Sequence, residues 1–152
     1  MTENQVLRLL QRIVAQKNLL KSIKAQLESL DQLIEPTAAD PSKAPISGGK
    51  TEDVSKLLAC IEKKRAALCK RYVMQIDNIM ETETAATSLI RLIDSAEIKS
   101  ILMDRYFTGK DWETICKEHH YQRARIFQLR KSGIREIAIK TKKMRPKKSR
   151  LK

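Results

Sequence analysis

Between residues 4 and 34 the apolar positions step alternately by three and four, a spacing that a long helix with one buried seam satisfies. Val6, Leu9, Ile13, Gln16, Leu20, Ile23, Leu27, Leu30 and Ile34 form that seam, and eight of the nine are apolar. At 1.5 Å per residue the helix is about 45 Å long. Glu35-Pro36 ends it, because a proline ring disfavours helical geometry in the residue before it. The helix is therefore expected over residues 1–35. Residues 36–50 are rich in Pro, Ala, Ser and Gly, which reads as a flexible linker or as a long loop between two helices. A second long helix is expected over 51–84. Thr51, Glu52 and Asp53 suit its N-terminus, and Val54, Leu57, Leu58, Ile61, Leu68, Tyr72, Ile76 and Ile79 form its apolar stripe. Lys63, Lys64, Arg65, Lys70 and Arg71 sit between the stripe members and read as a solvated face. The two helices can fold back as a hairpin or pair with a second copy in a coiled coil, and the pattern leaves both open. A homodimer through these helices is the expected assembly.

The 152 residues suffice for one or two small domains. Three of the four prolines and two of the four glycines fall within 36–50, and little elsewhere alternates as a strand requires. The expected fold class is all-α. Net charge is +13 and unevenly placed. Residues 1–86 hold 13 Lys/Arg against 11 Asp/Glu, a net of +2, and residues 87–152 hold 18 against 7, a net of +11. A basic surplus confined to one part points to a polyanion. No apolar run approaches the roughly 20 residues of a spanning helix, so no membrane partner is expected. Cys60, Cys69 and Cys116 show no CxxC spacing, which fits a reducing cytoplasm.

The basic part carries the densest pattern. Ile98, Ile101, Leu102, Met103, Tyr106 and Phe107 mark an apolar helix stopped at Thr108-Gly109-Lys110. Asp111 caps a short helix that turns Ile115 and Cys116 inward, with Trp112 as a core anchor. After His119-His120-Tyr121, the residues Ile126, Leu129, Gly133 and Ile137 mark one face of a third helix. Two helices joined by a tight turn, the later one basic, have the form of a DNA-reading helix-turn-helix, expected over 85–139 after a turn and cap at Ile93-Asp94-Ser95.

With Ile126, Leu129, Gly133 and Ile137 inward, a rotation of about 100° per residue puts Ala124, Gln128, Lys131 and Arg135 near the opposite face, with Arg125 and Ser132 on its flank. Arg125 and Gln128, in the N-terminal half, are the expected base readers, since Arg matches guanine O6/N7 and Gln adenine N6/N7. Ala124 suits a thymine methyl, and Arg123, Lys131 and Arg135 suit phosphates. The tail over 140–152 has eight basic residues in thirteen and no acid. It is expected to be disordered until bound, with Lys140, Lys142, Lys143, Arg145, Lys147 and Lys148 giving nonspecific phosphate contacts. No Gly-rich phosphate loop or nucleophile signature suggests an enzyme. Cys116, His119 and His120 lack a nearby fourth ligand for zinc, and no cofactor or metal is expected.

The order Leu102, Arg105-Tyr106-Phe107, Gly109, Trp112-Glu113, Ile115, Tyr121, Arg123, Ile126, Leu129 and Ile137 resembles region 4 of bacterial sigma factors. The resemblance is nearest to the region-4-like domain of small phage and prophage regulators, and it covers residues 88–138. It implies a sequence-specific transcriptional regulator in a bacterial host that binds double-stranded DNA and contacts RNA polymerase. The chain departs from the pattern at His119-His120, where Leu-Gly is usual, at Gln122, where Ser or Thr is usual, and at Gly133, where Ala is usual. A mid-helix glycine costs about 1 kcal/mol unless a close helix contact uses its small size. Two alternatives remain open at this point: a small terminase-like DNA-packaging subunit, and a polymerase-binding or other interaction module with no operator of its own.

Overall fold

The structure, a computed structural model, describes residues 1–34 and 51–144. All elements among the described residues are helices: α1 (Glu3–Ile34), α2 (Thr51–Ile90), α3 (Ala96–Tyr106), α4 (Trp112–Glu118) and α5 (Arg123–Met144). Among the described residues, no helix is long and apolar enough to cross a membrane. The linker expected over 36–50, and the tail positions Arg145, Lys147 and Lys148, lie outside the described residues.

The chain divides into two compact units, Met1–Lys17 with the chain from Asn78 onward, and Asn18–Asp77. In the first unit, the residues expected to face inward on the last helix are all buried: Ile126, Leu129, Gly133 and Ile137. Ile126, Leu129 and Ile137 share one apolar cluster with Ile101 and Leu102 of α3 and Ile115 of α4. Val6, Leu10 and Ile13 of α1 and Ala86 and Ile90 of α2 belong to the same cluster. The module expected over 85–139 thus also takes in the first turns of α1. Leu10, one residue on from the expected Leu9, is the fully buried member, and Leu9 packs at the cluster's edge. Lys17 fastens this end of α1 with an ion pair to Glu83 at 2.6 Å and a hydrogen bond to the Phe107 carbonyl.

Two boundaries differ from those the sequence suggests. The helix expected to stop at 84 continues to Ile90. The polar run there fits a helix because its hydroxyls donate to carbonyls one turn back, Thr82 to Asn78 and Thr84 to Met80, both at 2.8 Å. Ala86, fully buried, supplies the close packing that a larger apolar residue would signal in sequence. At the other end, α5 runs on to Met144, so the segment expected to be disordered from 140 begins as helix.

The caps follow the sequence more closely. Ser95 Oγ accepts from the Ile98 amide at the start of α3, and Asp111 Oδ1 accepts from the Thr114 amide at 3.1 Å at the start of α4. Gly109, with φ +78°, makes the reversal between those helices. Gly133 sits at a close contact of α5 with α3. A Cβ on it would meet Ile98 Cγ2 inside van der Waals range and Leu102 Cδ1 at 3.2 Å.

In the second unit, Arg65 of α2 meets Asp31 of α1 at 2.7 Å, so the two long helices lie side by side within one chain. Ile23 is buried there, whereas Leu19, Leu33, Leu57 and Met74 are exposed.

Because Ile13 is fully buried in the cluster that holds α5, Ile13→Ala should cost about 2–4 kcal/mol of stability. Denaturant unfolding followed by the fluorescence of Trp112, the only tryptophan, reports on the α3–α5 region and checks this. An unchanged midpoint would show that α1 is not part of that core.

Candidate nucleic-acid interface

α4 and α5 are joined by four residues, His119 to Gln122, and the geometry of this turn determines where α5 points. The chain leaves α4 with the Tyr121 amide donating to the Cys116 carbonyl at 3.1 Å and the His120 amide donating to Lys117 at 3.3 Å. That pair of bonds is a Schellman termination, whose middle residue must adopt the left-handed conformation. His120 does so, with φ 57°, and is the one described non-glycine residue with positive φ. The departure from Leu-Gly noted in the sequence therefore falls at the position where a glycine is least strained. α5 then starts on the backbone of Gln122, whose carbonyl accepts from the amides of Arg125 and Ile126.

Polar contacts hold the turn. His119 Nε2 lies 3.1 Å from Asp104 Oδ2, and Lys110 Nζ bridges Asp104 at 3.0 Å and Glu118 at 2.6 Å. Burial pushes the Asp104 carboxyl up, but the hydrogen bonds from His119 and Lys110 outweigh it and leave the group below its ordinary value. The hydrogen bond to Glu118, followed by that to Asp104, raises Lys110. Asp104, Lys110 and Glu118 tie α3, the Gly109 turn and the end of α4 into one ionic cluster, to which His119 is hydrogen-bonded through Asp104.

A second cluster, which sequence reasoning missed, braces α5 from the other side. Trp112 and Phe127 pack with ring centroids 4.8 Å apart. Arg105 lies over Trp112 at 4.9 Å, and Arg130 reaches both rings at 5.6 and 5.8 Å while its Nε donates to the Tyr106 hydroxyl at 2.8 Å. Arginine stacked on aromatic faces contributes both cation–π attraction and packing. The signal was present in the residue types, since Arg105, Trp112, Phe127 and Arg130 are all visible in the sequence. Their convergence depends on the angle between α3 and α5, which no local spacing encodes.

The expected readers are distributed unequally. Ala124, Arg125, Gln128, Lys131, Ser132 and Arg135 are all exposed on α5. Gln128, Lys131, Ser132 and Arg135 border one shallow depression of about 300 Å³. No acid of α5 lies on this face, because Glu136 is turned aside to Lys140. Glu3 of α1 approaches Arg135 at 3.8 Å, with both side chains well exposed. The same face continues past Ile139, which is 47% exposed, to Lys142 and Lys143. Arg123 is separate from it: its guanidinium lies 5.6 Å over the Phe127 ring, about 100° round the helix from Ala124.

Lys140 is differently placed. Expected as a nonspecific phosphate contact, it is held by Asp94 at 2.7 Å, Glu136 at 2.8 Å and the Leu92 carbonyl at 2.7 Å. The hydrogen bond to Asp94 leads the causes that raise its pKa. Helical rotation turns it about 160° from Lys142, and its contacts place it on the turn between α2 and α3, where it anchors α5.

Comparisons of this chain with protein families, with curated proteins and with solved structures gave no match.

Replacing His120 with glycine removes the left-handed strain and should raise stability by about 1 kcal/mol, read as an increase in the unfolding midpoint. Lys140→Ala should lower the melting temperature while leaving the salt dependence of nucleic-acid binding unchanged. Lys142→Ala should do the reverse, flattening the logarithmic salt slope by about one.

Proposed function

We propose that the chain is a sequence-specific regulator of transcription that binds double-stranded DNA, with α5 lying in the major groove. The observation that carries this reading is the exposed face of α5. Arg125, Gln128, Lys131 and Arg135 stand on it together, behind a short helix and a four-residue turn, on a helix whose opposite face is fixed in the core. A groove reader needs this combination, because base edges are reached only by side chains whose backbone is held rigidly against the phosphates.

The division of labour follows from position. Arg125 and Gln128 lie one turn apart in the N-terminal half of α5, where recognition helices reach base edges. Their fork and amide chemistry suits guanine and adenine. Lys131 and Arg135 lie further along and suit phosphates, as do Lys142 and Lys143. Arg123 and Arg130, committed to Phe127 and Trp112, act by holding the helix. The resemblance to sigma region 4 supports a regulator of the phage and prophage type, for which contact with RNA polymerase is the natural extension.

A mobility-shift titration tests this with DNA neighbouring the chain's own gene, at moderate salt and with excess competitor DNA. The protein should select one fragment. Combined Arg125→Ala and Gln128→Ala should reduce that selection by about 10- to 100-fold, in line with the value of lost base-edge contacts, while nonspecific binding persists. Equal binding to every fragment by the unaltered protein would count against a specific regulator.

A further inference from the structure

The helix pair of the second unit has two unlike flanks. On one, Arg65 is matched by Asp31 at 2.7 Å, and Lys24 lies 3.8 Å from Glu28. The other has a different chemistry. Along α1, Leu19, Ser22, Gln26, Ser29 and Leu33 recur at spacings of four and three beside the buried seam of Ile23, all exposed and all uncharged. Along α2, Leu57, Cys60, Lys64, Ala67, Arg71 and Met74 recur at the same spacing, again all exposed.

These two rows border one groove of about 480 Å³, which takes Gln26, Ser29, Lys64, Ala67 and Arg71 as walls and Leu30 and Leu68 as apolar lining. Rows spaced by three and four on both walls offer the holes into which the knobs of a third helix pack. Serine, alanine and cysteine in those rows permit a close approach. Leu33 and Leu57, 68% and 61% exposed, would be covered by it.

Charge narrows the occupant. Lys64 and Arg71 stand two helical turns apart, about 10 Å. Among the described residues neither has an acidic partner. The flank's described acid, Asp53, lies about three turns before Lys64, too far to serve it. A second copy of this chain would bring the same uncharged row and the same two cations, and so no anion. A nucleic acid would neutralise the cations but leave Leu19, Leu33, Leu57 and Met74 in water. An amphipathic helix with an apolar seam and carboxylates beside it satisfies both demands.

We propose that this flank of the α1–α2 pair is the docking site for an acidic amphipathic helix of a partner protein, with Lys64 and Arg71 receiving its carboxylates. The proposal is independent of the DNA-binding reading, since every residue involved lies in the second unit.

The test uses the full chain and three fluorescein-labelled helical peptides of about three heptads, with leucine at a and d and with glutamate, glutamine or lysine at e and g. Anisotropy titrations are run near 0.15 M salt, where exposed charges are screened beyond about 8 Å. The glutamate peptide should bind, and the glutamine peptide should bind about tenfold more weakly. Joint K64E and R71E should transfer the preference to the lysine peptide, and Lys24→Gln on the other flank should change nothing. Ala67→Trp should block the groove. If that variant loses helicity, the charge swap decides alone, because both of its side chains are exposed.

Equal affinity for the glutamate and glutamine peptides would overturn the proposal, as would a preference unmoved by the charge swap. So would a sedimentation dimer dissolved by Ala67→Trp, which assigns the groove to a second copy. A random-sequence DNA duplex whose binding is lost on K64E and R71E would assign the flank to nucleic acid instead.

Discussion

Gly133 lets α5 lie against α3 so closely that a single added carbon would press into Ile98, with Leu102 and Ile93 also in reach. The angle and depth of that crossing determine which residues of α5 are sealed in the core and which reach solvent. Helix propensity argues for alanine at this position by about 1 kcal/mol, and the contact is the reason glycine is worth that cost. Everything proposed for the outer face of α5 depends on its inner face being fixed here.

The remaining contacts hold this arrangement rather than create it. Two clusters of opposite character grip the turn region. The ionic one joins Asp104, Lys110, Glu118 and His119, and the aromatic one joins Trp112, Phe127, Arg105 and Arg130. Lys140 secures the far half of α5 to the turn before α3 through Asp94 and the Leu92 carbonyl. The first turns of α1 close the core from the remaining side with Val6, Leu10 and Ile13. A short three-helix module has little apolar area of its own, and the added helix supplies burial that α3 to α5 alone do not.

What sequence could reveal follows the range of the forces involved. Local rules identified the caps at Ser95 and Asp111, the reversal at Gly109 and the inward set on α5, because hydrogen bonds and helical rotation act over a few residues. The end of α2 was misplaced because Thr82, Thr84 and Ala86 look like a loop until their hydroxyls find carbonyls within the helix and the alanine finds a core. Lys140 reads as part of a basic tail by its company, whereas Asp94 and the Leu92 carbonyl reach it only in the folded chain, and Glu136 one turn back is the local signal of its pairing. The role of α1 was hidden for the same reason. Its heptad pattern is interrupted at Gln16, beside the change of unit at Lys17, but one polar seam position does not by itself signal that the helix serves two units.

The proposed contact of α5 with DNA runs through the face bearing Arg125, Gln128 and Arg135. Nuclear magnetic resonance of the full chain titrated with a duplex that it selects tests this most directly, through the Gln128 side-chain amide and the arginine Nε signals. The account predicts that the signals of Gln128, Arg125 and Arg135 shift most. Those of Arg130, held between Trp112 and Phe127, should move little. Large shifts confined to Lys142, Lys143 and the α1–α2 pair, with Gln128 and Arg125 silent, would contradict it.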